Sequence, residues 1–180
     1  MEKKSSVHIR LIRMSHFLKL GYHKAANMSE QEFAKLVPYP EDKPGKLLVV
    51  KHQLIPIDIQ MKLIGGENHL NLPLLKNLVK TPNTLIYWRY GVEDGEKMLD
   101  KSMNLCLKIF QEKNRIPSVV EEGIAIVVYK KDVLEDHGID LPGSFCVGVP
   151  CLRLEKKRPE LIIGCSCDAS QDYGSASCSS

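Results

Sequence analysis

The segment VGVPCLRLEKKRPELIIGC, residues 147–165, decides the fold that we predict for the C-terminal part of the chain. Val147–Leu154 and Leu161–Cys165 are rich in branched apolar residues and predict two β-strands. The polar stretch between them predicts the turn of an antiparallel hairpin. We expect this hairpin to bring Cys151, early in its first strand, and Cys165, at the end of its second, to the same end of the sheet.

Cysteines crowd around this hairpin, since five of the six in the chain lie between Gly143 and Cys178. Zinc binds about four nitrogen or sulfur ligands in a tetrahedron. We therefore predict zinc as the cofactor of a structural site whose ligands are Cys146, Cys151, Cys165 and Cys178. The strong signal of a C-x2-C knuckle is missing. The alternative is a set of unligated thiols followed by a disordered, serine-rich tail.

A second hypothesis makes one cysteine of segment 146–178 a reactive thiol, either in an enzyme or in a redox protein. Cys165 and Cys167 could form a labile disulfide, or Cys178 could act as a nucleophile beside His137 or His52. A nucleophilic thiol needs a nearby base or helix N-terminus to lower its pKa. The sequence places no such group beside a cysteine, so we assign no catalytic residue and leave open whether the protein is an enzyme.

Outside the hairpin, strand and helix signals alternate along the chain. Thr84–Tyr90 is β-branched and aromatic and predicts a strand, and Leu47–Val50 predicts a second, buried one. Apolar residues at helical spacing predict the helices. The helix starts are predicted near Ser5, Ser29, Asn71, Asp100, Ser118 and Val133.

Two segments carry signals for both kinds of structure. Residues 57–64 alternate apolar and polar side chains, which favours a strand, while the preceding Pro56 suits the first turn of a helix. Residues 119–128 are β-branched, but Ser118 and Glu121 have the spacing of a capping box. We predict a helix for residues 119–128 and leave residues 57–64 open.

These elements predict an α+β (mixed α/β) fold with a central mixed sheet, flanking helices and a C-terminal β-hairpin. Residues 1–37 form an N-terminal helical arm, and residues 38–180 form the α/β body, all within one domain. A chain of 180 residues buries enough apolar surface to fold without a disulfide or a metal.

Charge is distributed unevenly, because residues 1–24 carry six of the basic side chains against one acid, in a chain whose net charge is +3. A basic arm could contact nucleic acid, but we prefer the interpretation of a solvated helix face. No apolar run reaches the ~20 residues of a membrane span, and the N-terminus lacks the apolar core of a signal peptide. We expect a cytoplasmic protein, and a homo-oligomer is compatible with the sequence.

Several polar residues outside the cysteine-rich segment are also candidates for a functional site. Glu121 and Glu122 are adjacent, so on a helix they point about 100° apart and do not form an acid–base pair. We interpret them as two acids in the favourable first turn of a helix. His52, His69 and His137 are interpreted as isolated surface residues, and Cys106 as a core thiol.

Four short motifs resemble a family of small bacterial proteins that share a domain of unknown function. The motifs are Leu20-Gly21-Tyr22, Ser29-x-x-Glu32-Phe33, Glu121-Glu122-Gly123-Ile124-Ala125 and Gly174-Ser175-Ala176-Ser177-Cys178. They span nearly the whole chain in order, which implies one globular unit. The chain departs from the family in its tail, where the family has more Trp and a His between the last cysteines and this chain has Asp168–Tyr173. The leading hypothesis is a non-enzymatic binding or regulatory protein.

Overall fold

The computed structural model describes residues 2–164 and 169–180, which form helices, short strands and two 3₁₀ turns. The helices are α1 (Glu2–Lys19), α2 (Tyr22–Ala25), α3 (Glu30–Leu36), α4 (Ile57–Leu63), α5 (Met103–Glu112), α6 (Val120–Tyr129) and α7 (Val133–Asp136). The strands are β1 (Leu47–Val50), β2 (Glu67–Asn68), β3 (Lys76–Asn77), β4 (Ile86–Arg89), β5 (Arg115–Pro117), β6 (Gly138–Asp140), β7 (Ser144–Phe145), β8 (Pro150–Glu155), β9 (Arg158–Ile163), β10 (Tyr173–Ser175) and β11 (Ser177–Ser179). The 3₁₀ turns are Leu72–Leu74 and Glu96–Met98. This mixture confirms the predicted α+β class. Within the described ranges, no helix is long and apolar enough to cross a lipid bilayer.

The central sheet is mixed and has the strand order β10-β6-β8-β9-β2. The predicted hairpin, β8 and β9, is present and forms the middle of this sheet. Its outer neighbours come from distant parts of the chain. Strand β2 pairs parallel with β9, and β10 pairs parallel with β6. The predicted strand around residues 84–90 appears as β4, which pairs with β1 in a separate two-stranded sheet.

The hairpin turn is tighter than the predicted polar stretch. Strand β8 ends at Glu155 and β9 begins at Arg158, which leaves a two-residue loop of Lys156 and Lys157. Both lysines have positive φ angles, 49° and 66°. That geometry matches the right-handed strand twist and is usually filled by Asn-Gly. Because the loop contains neither Asn nor Gly, so short a turn was not predictable from the sequence.

Helix α6 lies at the centre of the core, between β1, β8, α1 and α4. Every residue from Val120 to Val128 is buried. A helix that is apolar on all sides is stable only when other elements cover all of it, and this one confirms the prediction for residues 119–128. The helix begins one residue later than the predicted cap. Glu122 accepts the N–H of Val119, so the acid that closes the first turn is Glu122 and not Glu121.

The structure decides one segment that the sequence left open and corrects another. The alternating residues 57–64 fold as helix α4, which begins directly after Pro56. Pro suits a helix start because its missing N–H would have no partner there. The helix predicted after Asn71 does not form. That segment contains one 3₁₀ turn and then β3, and Leu74 and Leu78 are exposed.

The packed face of the N-terminal helix combines apolar side chains with Arg10 and Arg13, two residues of the basic face that was predicted to be solvated. Val7 and Leu11 are exposed, whereas Met14 is buried and Phe17 is buried against the Tyr22 ring. Arg10 donates hydrogen bonds to the carbonyls of Ala34 and Val37 at the end of α3. The Ala34 carbonyl also accepts the Val37 N–H, so the guanidinium adds a donor at the C-terminal end of α3, where carbonyls lack i+4 partners.

Residues 169–180 of the serine-rich tail are ordered, unlike the disordered tail of the alternative interpretation. Strand β11 pairs antiparallel with β5, and Ala176 and Cys178 are fully buried. The backbones of Gly95 and Gly174 approach so closely that a Cβ on either would overlap the other's carbonyl. These positions require glycine because no other residue leaves that space.

Candidate functional site

A turn between β1 and α4 presents His52 at the surface. The backbone N–H groups of Leu54 and Ile55 both donate to the Lys51 carbonyl, which closes the turn. Buried Gln60 donates to the carbonyls of Val50 and Ile55, one at each end of the turn. The imidazole thus lies on a turn whose two ends are fixed by hydrogen bonds from the buried amide of Gln60.

Beneath His52 lies Glu121, the second residue of α6. His52 Nδ1 lies 2.5 Å from Glu121 Oε1, and the two side chains are 44% and 2% exposed. The second carboxylate oxygen of Glu121, Oε2, is buried and accepts no hydrogen bond from the described residues. A buried carboxylate is costly unless a cation or hydrogen-bond donors face it, so His52 is the group that compensates this charge.

The pair shifts the pKa values of both groups in opposite directions. The hydrogen bond to Glu121 raises the pKa of His52 above its ordinary 6.5, against the effect of partial burial. Burial alone would raise the pKa of Glu121, but the hydrogen bond from His52 and nearby backbone amides outweigh it and lower that pKa. The imidazole therefore holds its proton to a higher pH than a free histidine does.

Glu122, the next residue, has different partners, as expected for adjacent residues on a helix. Its Oε1 accepts hydrogen bonds from Arg89 Nε at 2.5 Å and from the Tyr87 hydroxyl at 3.0 Å. Its Oε2 accepts the Val119 N–H at 3.1 Å. All its oxygens are satisfied inside the protein, which makes Glu122 a structural residue.

A pocket of about 340 Å³ opens beside the imidazole. It is lined by His52, Gln53, Pro56, Ile57, Leu72, Leu75 and Asn77. We call it the His52 pocket. Its volume is at the lower end of the range for small-molecule sites, and it has the usual mixture of apolar walls and a few polar groups.

Asn77 is oriented in this pocket by a chain of hydrogen bonds. The Val120 N–H donates to Ser144 Oγ at 3.1 Å, and that hydroxyl donates to Asn77 Oδ1 at 2.7 Å. Asn77 and Ser144 are register partners in β3 and β7. Because Oδ1 is used, the amide Nδ2 is the remaining donor of this side chain.

Three of the four predicted zinc ligands lie among the described residues. Cys146 donates to the Asn71 carbonyl, Cys151 lies in β8 and Cys178 in β11, and all three are buried. These three sulfurs do not form a cluster with mutual distances within 4.8 Å. Cys165, the fourth ligand of the set, and Cys167 lie outside the described residues, so the zinc site stays a prediction.

The other two hypotheses find little support in the surroundings of their residues. Burial raises the pKa of Cys178 to about 11, the opposite of what a nucleophilic thiol needs. On the basic arm, Arg10 caps α3 and the Arg13 guanidinium lies 4.5 Å from the Tyr129 ring centroid. These two cations therefore make contacts within the protein. Cys106 is buried in the small cluster with Phe110, as predicted.

The sequence analysis missed the pairing of His52 with Glu121, which lie 69 residues apart. One signal was available: two carboxylates on an otherwise apolar helix need partners if that helix is buried. His137, expected at the surface, is buried with its ring 3.4 Å from the Asp94 carbonyl. His69, also interpreted as isolated, lies between two carboxylates.

Comparison with known proteins identifies the family of the chain but provides no activity for it. No curated protein and no solved structure matched the chain. A family model matched residues 16–177, which include the motifs around Gly21, Ser29, Glu121 and all of the His52 pocket. The chain belongs to a family of unknown function, DUF5701.

Proposed function

We propose that the protein is a binding protein for a small organic carboxylate, which it holds in the His52 pocket. The observation that carries the proposal is the His52–Glu121 pair, in which a buried carboxylate fixes the imidazole and favours its protonated form. With Nδ1 bound to Glu121, the opposite ring nitrogen, Nε2, is left to donate to a ligand.

The lining of the pocket favours an acceptor that carries negative charge. Besides His52, its polar side chains are the amides of Gln53 and Asn77, and none of its lining residues is an acid. A ligand carboxylate would accept a hydrogen bond from the imidazolium, which then lies between two carboxylates. Charge-assisted hydrogen bonds of this kind are about twice as strong as neutral ones.

The remaining walls favour a ligand with a short apolar body. Ile57, Leu72 and Leu75 contribute aliphatic surface, and Pro56 adds to it. Burying one methylene group contributes about 0.8 kcal/mol, so affinity is expected to rise along a series of straight-chain carboxylates until the pocket is full.

The experiment is an NMR titration of the histidine ring signals with straight-chain carboxylates from acetate to octanoate, and with the matching primary alcohols. We expect the His52 signals to shift with the carboxylates and not with the alcohols. Affinity should fall as the pH rises through the pKa of His52, because the neutral ring loses its positive charge.

His52→Gln is the test variant, and it should weaken carboxylate binding at least about tenfold, since a hydrogen bond to a charged group contributes roughly 1.5–3 kcal/mol. His69→Gln is the matched control, because the His69 side chain is 48% exposed and also faces carboxylates. Equal affinities in the two variants, or shifts with the alcohols as large as those with the acids, would contradict the proposal.

A further inference from the structure

A second group of ligand atoms converges on the far edge of the central sheet. Glu67 of β2 is the register partner of Glu160 in β9, and the His69 N–H donates to the Leu161 carbonyl. Residues two apart on an extended chain point to the same side. His69 Nε2 consequently lies 3.8 Å from Glu67 Oε2 and 3.7 Å from Glu160 Oε1.

Each of the two carboxylates is held by an arginine through its other oxygen. Glu160 Oε2 accepts hydrogen bonds from Arg153 Nε at 3.2 Å and from Nη2 at 2.9 Å. Glu67 Oε1 is paired with Arg158. The oxygens that face His69 are thus oriented by outer partners, which is how proteins position the carboxylate ligands of metals.

The distances separate this arrangement from an ordinary hydrogen-bonded ion pair. At 3.7 and 3.8 Å, neither carboxylate oxygen is within hydrogen-bond reach of His69 Nε2. Two zinc–ligand bonds of about 2.1 Å that meet at the tetrahedral angle place their ligand atoms about 3.4 Å apart. Each His69–carboxylate pair therefore reaches the spacing of two zinc ligands after a shift of a few tenths of an ångström, and all three ligand atoms lie within 4.8 Å of one another.

Exposure leaves room for the ion to enter and for a fourth ligand. The side chains of Glu67 and His69 are 48% exposed, while that of Glu160 is 15% exposed. Glu67 and His69 border a surface pocket of about 570 Å³ that is also lined by Asp58, Lys62 and Arg158. Three protein ligands with one position open to a pocket are typical of zinc sites that bind a water or a further ligand.

We propose that Glu67, His69 and Glu160 bind one divalent transition-metal ion, with Zn²⁺ as the expected occupant. One imidazole and two carboxylates suit zinc better than Mg²⁺ or Ca²⁺, which prefer oxygen ligands alone. The proposed ligands include none of the residues that line the His52 pocket and none of the predicted cysteine ligands.

The test is the amount of zinc retained after equilibrium dialysis of chelator-treated protein against zinc chloride, measured by elemental analysis. We expect His69→Ala to lower the bound zinc by one equivalent, and Glu160→Gln to weaken that equivalent at least about tenfold. Glu155→Gln is the control, because Glu155 also pairs with Arg153 but does not face His69. It should retain the full amount.

Cobalt(II) substitution separates this site from binding by cysteines. Thiolate ligands give cobalt an intense charge-transfer band in the near ultraviolet, whereas imidazole and carboxylate ligands do not. The equivalent that His69→Ala removes should lack that band. The proposal is overturned if wild-type protein retains no zinc, if His69→Ala retains as much as Glu155→Gln, or if the lost equivalent carries the thiolate band.

Discussion

Replacing Glu122 by glutamine should destabilise the protein far more than the same change at the neighbouring Glu121. Glu122 is 1% exposed and compensates the Arg89 guanidinium, which is 11% exposed. Glutamine keeps the size and one acceptor oxygen but leaves Arg89 buried without a counter-charge. Breaking a buried ion pair on one side costs about 3–5 kcal/mol. Because Arg89 also donates to the Lys80 carbonyl, we expect the lower end, about 3 kcal/mol.

Glu121→Gln should cost less stability, because its partner His52 can become neutral. His52 is half exposed, and it loses its proton near neutral pH when no carboxylate faces it. We expect a cost of about 1 kcal/mol for this variant. The free energy of unfolding should be measured by urea denaturation, followed by circular dichroism, for wild type and both variants. In a chain of this length, 3 kcal/mol corresponds to a fall in Tm of about 6–12 °C.

A double-mutant cycle with Arg89→Gln assigns the effect to the ion pair. If Arg89 and Glu122 stabilise the fold as a pair, the double variant should lose less free energy of unfolding than the two single variants lose in sum. The difference should be about 0.5–3 kcal/mol. The reasoning is refuted if Glu122→Gln costs no more than Glu121→Gln, or if the cycle shows no coupling between the two residues.

Four further predictions concern other parts of the molecule. The stability advantage of wild type over Glu121→Gln should be largest between pH 4.5 and 6.5. Urea denaturation at a series of pH values should show this advantage shrinking as the pH falls through the lowered pKa of Glu121. It should also shrink as the pH rises through the raised pKa of His52. Lys157→Gly should stabilise the hairpin by about 0.5–1 kcal/mol in the same assay, because glycine adopts the positive φ without strain; a loss of stability would contradict the turn geometry. Gly174→Ala should cost about 3 kcal/mol, since its Cβ meets a backbone carbonyl that cannot move aside, and an unchanged Tm would show that the contact is loose. Cys178 should react with a maleimide at least about 100-fold more slowly in folded than in urea-unfolded protein, because its pKa is raised from 9.0 to about 11. Peptide mapping by mass spectrometry measures the labelling rate of Cys178. Rapid labelling in the folded protein would refute its burial.

The elements that could be predicted from the sequence are those whose local pattern and tertiary environment agree. Helix α6 has both a capping acid and an apolar surface that its neighbours cover. The β8–β9 hairpin has two apolar runs separated by charged residues. In such segments local preference and burial favour the same structure, so the interpretation does not depend on the rest of the fold.

The errors arose where distant contacts decide the structure. The face of α1 that is buried depends on carbonyls at the end of α3 and on Tyr129, none of which is visible in the periodicity of α1 itself. Helix α4 was ambiguous because alternating apolar residues fit both a strand and one side of a short helix.

The candidate sites could not be predicted because each joins segments that are far apart in the chain. His52 meets Glu121 across the packing of β1 on α6, and His69 meets Glu160 only through a two-residue parallel pairing. Strand β2 is too short to leave a periodic signal. Of the predicted zinc ligands, Cys151 and Cys178 lie in strands β8 and β11, and Cys146 lies in the segment after β7, while Cys165 lies outside the described residues, so this prediction stays open.

The position of β10 and β11 also affects how the chain folds during synthesis. The two strands contain residues 173–179, yet they pair with β6 and β5, which are made much earlier. Until those residues leave the ribosome, the edge of β6 has no partner and the groups around Ala176 stay open to water. A chain that lacks β10 and β11 therefore exposes an unpaired edge of β6, and an exposed strand edge favours aggregation.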